Sequence, residues 1–168
     1  MVGDGPLRAE VEEACRERGL AERFRFTGWI DYPRMPSYIR LADLVLMPSE
    51  WEVQALVYLE TLACGRLLVA SDIPAAREVI TDGETGLLFR MGDVDDLTEK
   101  TLLAAGSPAL RAVIAGKARE AVRAHSLDTV AVQFAALLEG VVRAHRAEGA
   151  SASRLLAGQD PELQARDI

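Results

Sequence analysis

The chain has 168 residues, 49% of them hydrophobic, enough to build the core of a single domain. Its net charge of −7 argues against a nucleic-acid partner, because phosphate backbones demand basic patches. Two cysteines, Cys15 and Cys64, form no metal-type pair and suggest no disulfide framework. No signal-peptide pattern opens the chain and no apolar run is long enough to span a membrane, so a cytoplasmic location is expected.

In chain order, Met1-Val2 reads as the tail of a strand that stops at the Gly3-Asp4-Gly5-Pro6 turn. Leu7, Val11, Ala14 and Cys15 form one helical face ending at Gly19, and Arg23 to Phe26 reads as a short strand. Tyr32 to Leu41 is a helical pattern interrupted early by Pro33 and Pro36. Strands are predicted at 43–47, 67–71 and 86–89, with helices at 55–64 and near 74–80. The β-α alternation implies an α/β fold with a parallel sheet. From Asp93 the chain turns helical, with one stripe at Leu110, Val113, Ile114, Ala118 and Ala121 and another at Val130, Phe134, Leu137, Leu138 and Val141. Residues 1–145 are expected to form the domain, and residues 146–168 a mobile tail.

The most informative feature is PSEWEVQALVYLETLACG, in which Glu52 and Glu60 stand eight positions apart. Leu44-Val45-Leu46-Met47 reads as a buried strand, and Ala55, Leu56, Leu59, Leu62 and Ala63 fit a helix. Glu52 therefore falls on the loop at the carboxyl end of a strand, with Glu60 about two turns into the following helix. Ligands of open α/β sheets bind at that edge, and a helix start there attracts phosphate. The bland alternative is that glutamates simply favour helix starts.

Other candidates are weaker. Asp93-Val94-Asp95 has the look of a metal-binding Asp-x-Asp, but a helical pattern begins there, so Asp93 reads as an N-cap and no metal is expected. Gly3-Asp4-Gly5 lacks the third glycine of a dinucleotide loop. His125 and His145 fall in C-terminal helices without a marked nucleophile partner. Trp51 either covers a sugar or shields the loop.

Taken in order, Val2-Gly3-Asp4-Gly5-Pro6, Phe24-Arg25-Phe26-Thr27-Gly28, the glutamate pair, Cys64-Gly65, Leu67 to Asp72, Arg77-Glu78-Val79-Ile80, Asp82-Gly83 and Thr85-Gly86-Leu87-Leu88 form a recognisable string. Over about residues 1–145 it resembles the C-terminal, donor-binding half of a GT-B glycosyltransferase, nearest to the retaining family 4 with its glutamate–seven–glutamate motif. That resemblance implies a Rossmann-like domain and transfer of a sugar from a nucleotide sugar, such as a UDP- or GDP-sugar, with retention of configuration. Glu52 would contact the donor sugar as the catalytic carboxylate, and Glu60 the ribose. The backbone around Gln54, Ala55 and Leu56 would hold the diphosphate, and Gly3 and Ile30 would lie beside the base. For Ile30, core packing is an equal alternative. No metal is implied.

The departures are specific. The family places Gly-aromatic-Gly after the first glutamate, where this chain has Val53-Gln54-Ala55, and the later glycine pair is Ala75-Ala76. The family's basic pair is not found, and the first strand, first helix and most of the second strand of the half are expected to be lacking, as is the acceptor-binding half that would receive a sugar or lipid acceptor. The strand at 43–47 is then expected to present an unpaired edge through which copies associate. Two other classes stay open: a non-catalytic nucleotide-sugar-binding module or inactive fragment, and a GT-B nucleotide-sugar epimerase. Peripheral contact with the inner membrane surface also stays open.

Overall fold

A computed structural model describes residues 1–156, with the side chains described as far as residue 146. The expected tail is helical as far as Leu156, and the rest of it lies outside the described residues. The chain divides into two compact units, Met1–Val122 and a second unit from Arg123 onward. The second carries the long helix α7, Leu127–Leu156. No helix among the described residues is long and apolar enough to cross a membrane.

The first unit is α/β. Its elements are helices α1 (Arg8–Glu17) and α2 (Met35–Leu41), strand β1 (Leu44–Met47), helix α3 (Leu56–Ala63), strand β2 (Leu67–Ser71), the single-turn helix α4 (Pro74–Arg77), strand β3 (Leu87–Phe89), and helices α5 (Val94–Gly106) and α6 (Pro108–Ala121). The strands form a parallel sheet in the order β1-β2-β3, with Leu44 opposite Leu67 and Val69 opposite Leu87. Parallel strands covered on both faces read as continuous apolar runs, and every residue of β2 is buried. One face packs on Tyr58, Leu62, Ile73, Ala76, Ile80 and Ala118, and the other, with Leu67, Val69, Leu87 and Phe89, on Ala104 and Ile114. Among the described residues β1 has a strand neighbour on one side only.

Three expectations are corrected. Arg23–Phe26 is not a strand: Ala21–Arg23 is a 3₁₀ turn and Phe24 is extended. Phe24 and Phe26 stack at 6.2 Å, as residues two apart on extended chain do, but a strand is defined by its ladder, and here only an isolated Gly3–Gly28 bridge forms. In α3 the inward residues are Tyr58, Thr61 and Leu62, whereas Leu56 is exposed. In α6, Ile114 and Ala118 face the core while Val113 faces out. The prolines act as expected: Tyr32–Arg34 is a 3₁₀ turn that passes into α2 at Met35.

Candidate functional site

Strand β1 stops where Pro48, which lacks an amide donor, meets Ser49. The loop that follows lies open, with Trp51 78% and Val53 72% exposed. Helix α3 then starts after Ala55 (φ −83°, ψ 94°), and no side chain caps it. The first amides of a helix have no partner within it, so the start of α3 presents bare N–H groups and the positive end of its dipole. That is the electrostatics of an anion site at the carboxyl edge of a parallel sheet.

Glu52 and Glu60, both half-buried, flank this start, one on the loop before it and one in its second turn. The Ser49 hydroxyl donates to Glu52 Oε1 at 3.0 Å. The Tyr32 hydroxyl faces Glu60, and donation to that carboxylate, followed by its negative charge, holds the phenol above the ordinary tyrosine range. On the inner side of α3, Tyr58 is 1% exposed, and its hydroxyl, near Ser49, makes no well-formed hydrogen bond among the described residues. Burial first, and then the charge of Glu52, push that phenol up, while the nearby Ser49 hydroxyl pulls it down.

The other predicted residues are placed around this centre to different degrees. Gln54 and Leu56 are exposed and Ala55 is half-buried, all at the helix start. Gly3 is tied to the Gly28 turn: its amide donates to the Gly28 carbonyl at 2.9 Å, and its φ of 107° is one that only glycine adopts freely. The same turn leads to Ile30, half-buried, beside Trp29 at 83% exposure, and to Tyr32 at Glu60. Helix α2, which continues this segment, packs on α3. The loop that carries Ile30 is therefore brought to the helix that carries Glu60, and Gly3 is anchored to that loop.

Sequence reasoning passed over Ser49, Tyr32 and Tyr58. Ser49 stands three residues before Glu52, a spacing at which hydroxyl side chains hydrogen-bond locally, so a signal existed. Tyr58 falls off the apolar face assigned to α3, and Tyr32 reaches Glu60 across 28 positions, for which one sequence offers no signal.

Asp93 is the N-cap of α5, its Oδ1 accepting from the Asp96 amide at 2.9 Å. Among the described residues no group of three or more His, Cys, Asp or Glu is placed to hold a metal ion. Two cavities lie away from the glutamates. One of about 530 Å³, at the carboxyl ends of β2 and β3, is ringed by paired charges: Asp72 with Arg77, Arg90 with Asp96, and Lys100 with Asp82 at 3.7 Å. Another of about 430 Å³ lies where β1 and β2 begin, beside Asp43, Arg66, Arg111 and Arg119. The start of α3, with its uncapped amides beside two carboxylates, lies outside both linings.

Residues 1–106 match the family model described as glycosyl transferases group 1. An alpha-D-kanosaminyltransferase of Streptomyces kanamyceticus is 37% identical over 105 residues, which are 61% of this chain and 27% of that protein. A 2-deoxystreptamine glucosyltransferase of the same organism is 33% identical over 119 residues, 70% of this chain and 31% of the relative. Among solved structures, sucrose-phosphate synthase from Thermosynechococcus elongatus superposes with a TM-score of 0.76 at 29% identity, over 85% of this chain and 38% of that one. An Anabaena protein solved in complex with UDP and glucose superposes with a TM-score of 0.73 at 25% identity, over 83% and 39%. The chain thus spans between about a quarter and two-fifths of the length of these proteins. With its family model, its relatives and its parallel-sheet architecture in agreement, the chain belongs to the group 1 glycosyltransferases, an enzyme family of GT-B fold, and corresponds to their C-terminal half.

Proposed function

We propose that this chain supplies the donor-binding half of a transferase that moves a sugar from a nucleotide sugar to an acceptor with retention of configuration. The observation that carries the reading is the pair of half-buried glutamates flanking the uncapped start of α3 at the carboxyl edge of the sheet. Glu60 takes the ribose hydroxyls as an acceptor, displacing Tyr32 from its carboxylate. The amides from Gln54 to Leu56 take the diphosphate, and the same dipole stabilises the charge that develops as the diphosphate leaves. Glu52, steadied by Ser49, meets the hydroxyls of the donor sugar near the reacting carbon. Gly3 and Ile30 border the base. The helix start carries the leaving charge, so the proposed transfer calls for no metal. Binding of UDP and glucose by the Anabaena relative supports a nucleotide-sugar partner. The acceptor, a sugar or a lipid, engages a further part of the enzyme.

A second reading, a module that binds the donor without turning it over, is favoured by Val53. Among the described residues every positive φ belongs to a glycine, so Val53 runs in ordinary conformation, and its side chain, 72% exposed, lies on the loop two residues before the N-cap of α3. A branched side chain there limits how closely a diphosphate can approach.

Calorimetry of the chain with UDP, GDP and ADP tests nucleotide binding. The expected result is saturable binding of at least one of them, weakened more than tenfold by Glu60→Ala and not by Glu84→Ala in a distant turn. Equal affinity of the wild type and Glu60→Ala would remove the ribose assignment. A transfer assay on the chain joined to an acceptor-binding half separates the two readings.

A further inference from the structure

We propose that the cavity at the amino ends of β1 and β2 binds a phosphate dianion, free or esterified to a small molecule, through Arg66, Arg111 and Arg119. It lies at the opposite end of the strands from Glu52 and does not depend on the nucleotide-sugar reading. Asp43, just before β1, and Arg66, just before β2, line it from the sheet side, and Arg111, Ala112, Gly116 and Arg119 line it from α6. Small residues between the two arginines of α6 leave the hollow open: a methyl group built on Gly116 meets nothing within 4 Å. The volume of about 430 Å³ falls within the range of small-molecule sites, roughly 300–1,000 Å³. A guanidinium carries five N–H donors, and here each one keeps some unspent. Arg111, with its side chain 18% exposed, donates Nη1 to the carbonyls of Ala104 and Ala105, both at 2.7 Å, which fixes its plane. Its Nη2 stands 3.9 Å from Asp43, too far for a hydrogen bond. Arg66 donates Nη2 to the Arg40 carbonyl, and its buried Nε has no partner. Arg119 makes no hydrogen bond or ion pair among the described residues. Its Cδ would lie 3.8 Å from a Cβ built on Gly65, so its stem reaches toward the loop that carries Arg66. Three guanidiniums against one carboxylate, itself 86% exposed, leave two positive charges at one cavity of a chain whose net charge is −7. A phosphate dianion matches that surplus, and its oxygens accept from several guanidinium forks at once.

The experiment titrates the full, nitrogen-15-labelled chain at constant ionic strength with inorganic phosphate, with glycerol 3-phosphate and with glycerol. Calorimetry gives the affinities, and the Nε–H signals of Arg66, Arg111 and Arg119 locate the site by NMR. The expected result is saturable binding of both phosphates and none of glycerol, with those three signals shifting. The tighter of the two phosphates then identifies the source, the free anion or an organic monoester, and either supports the site. Arg119→Gln and Arg66→Gln should each weaken binding about tenfold, the loss of a charged hydrogen bond. Arg119 is exposed, so its variant keeps the fold, and phosphate should raise the Tm of the wild type more than that of Arg119→Gln. Three results overturn the proposal: no saturable phosphate binding by the folded wild type, an affinity unchanged in either folded variant, or shifts confined to the amides of residues 54–56 at the start of α3.

Discussion

Gly86 stands just before β3 in the turn that carries Thr85-Gly86-Leu87-Leu88, and its replacement by alanine tests how tightly the sheet edge is packed. A methyl group built there comes within 2.9 Å of Ile80 Cγ2 and 3.1 Å of the Leu68 carbonyl oxygen. Carbon atoms pack at about 3.5–4.0 Å, so both contacts are repulsive. Neither neighbour can yield cheaply. Ile80 is 3% exposed within the core cluster, and Leu68 belongs to the fully buried central strand. Overpacking of this kind costs about 1–3 kcal/mol. The loss of chain entropy in the unfolded state returns about 0.4–1 kcal/mol, because Gly86 does not occupy a left-handed φ. The net expectation is a destabilisation of about 1–2 kcal/mol, or a Tm lower by roughly 2–8 °C for a chain of this size. Gly116, in the middle of α6, meets nothing within 4 Å and provides the opposite sign: Gly116→Ala should stabilise by about 0.5–1 kcal/mol through helix propensity. Thermal melts followed by circular dichroism measure both. A Gly86→Ala chain that melts at or above the wild-type temperature would refute the packing argument.

Three further outcomes are expected. Val53→Gly combined with Gln54→Phe should tighten nucleoside diphosphate binding, at some entropic cost to the loop; calorimetry that finds no change would show the departure at Val53 to be harmless. Asp72 is held below the usual carboxylate range by its hydrogen bonds with Arg77, and Asp96 by the Arg90 amide and side chain. Both folded values lie below the unfolded ones, so the stability they lend is present above about pH 4 and is lost as pH falls through the folded values. Melts between pH 7 and 2 should therefore show a shallower acid limb for Asp72→Asn with Asp96→Asn, and an identical limb would contradict the assignment. Finally, β1 is paired on one side only and Leu46 is 42% exposed, so the chain should associate in size-exclusion chromatography with light scattering, and Leu46→Lys should reduce that association; a wild type that stays monomeric at all concentrations would sink the edge argument.

The parts of the fold written most plainly in the sequence were those set by local chemistry. The short apolar run Leu67 to Ala70, bounded by Gly65 and Asp72, reads as a strand, and it is the central, fully buried one. Asp93 ahead of acidic residues could be read as a cap because capping acts over three positions. Pro33 and Pro36 marked an early interruption of the helical pattern, and the structure has a 3₁₀ turn there before α2. What failed was non-local. Phe24-Arg25-Phe26 has a strand's alternation, yet a strand also needs a ladder partner, which the residues themselves do not carry. The inward face of α3 was misjudged because Leu56 and Tyr58 are both apolar enough to be buried, and only the packing against β2 selects Tyr58. For the candidate site, the glutamate spacing placed Glu52 on a loop and Glu60 on the helix after it, as the structure has them, while the tyrosines near those glutamates became visible only once α2, α3 and the loops between them were assembled.

The central claim is a division of labour, with Glu60 on the ribose and Glu52 on the sugar. It is tested most directly by measuring, in one set of titrations, the affinities of the wild type, Glu60→Ala and Glu52→Gln for a nucleoside diphosphate and for its nucleotide sugar. Glu60→Ala should weaken both ligands by the same factor, about tenfold or more, because both carry the ribose. Glu52→Gln should weaken only the nucleotide sugar, by about fivefold, and leave the nucleoside diphosphate unchanged. A Glu52→Gln chain that loses affinity for both ligands, or a Glu60→Ala chain that loses affinity for neither, would contradict it.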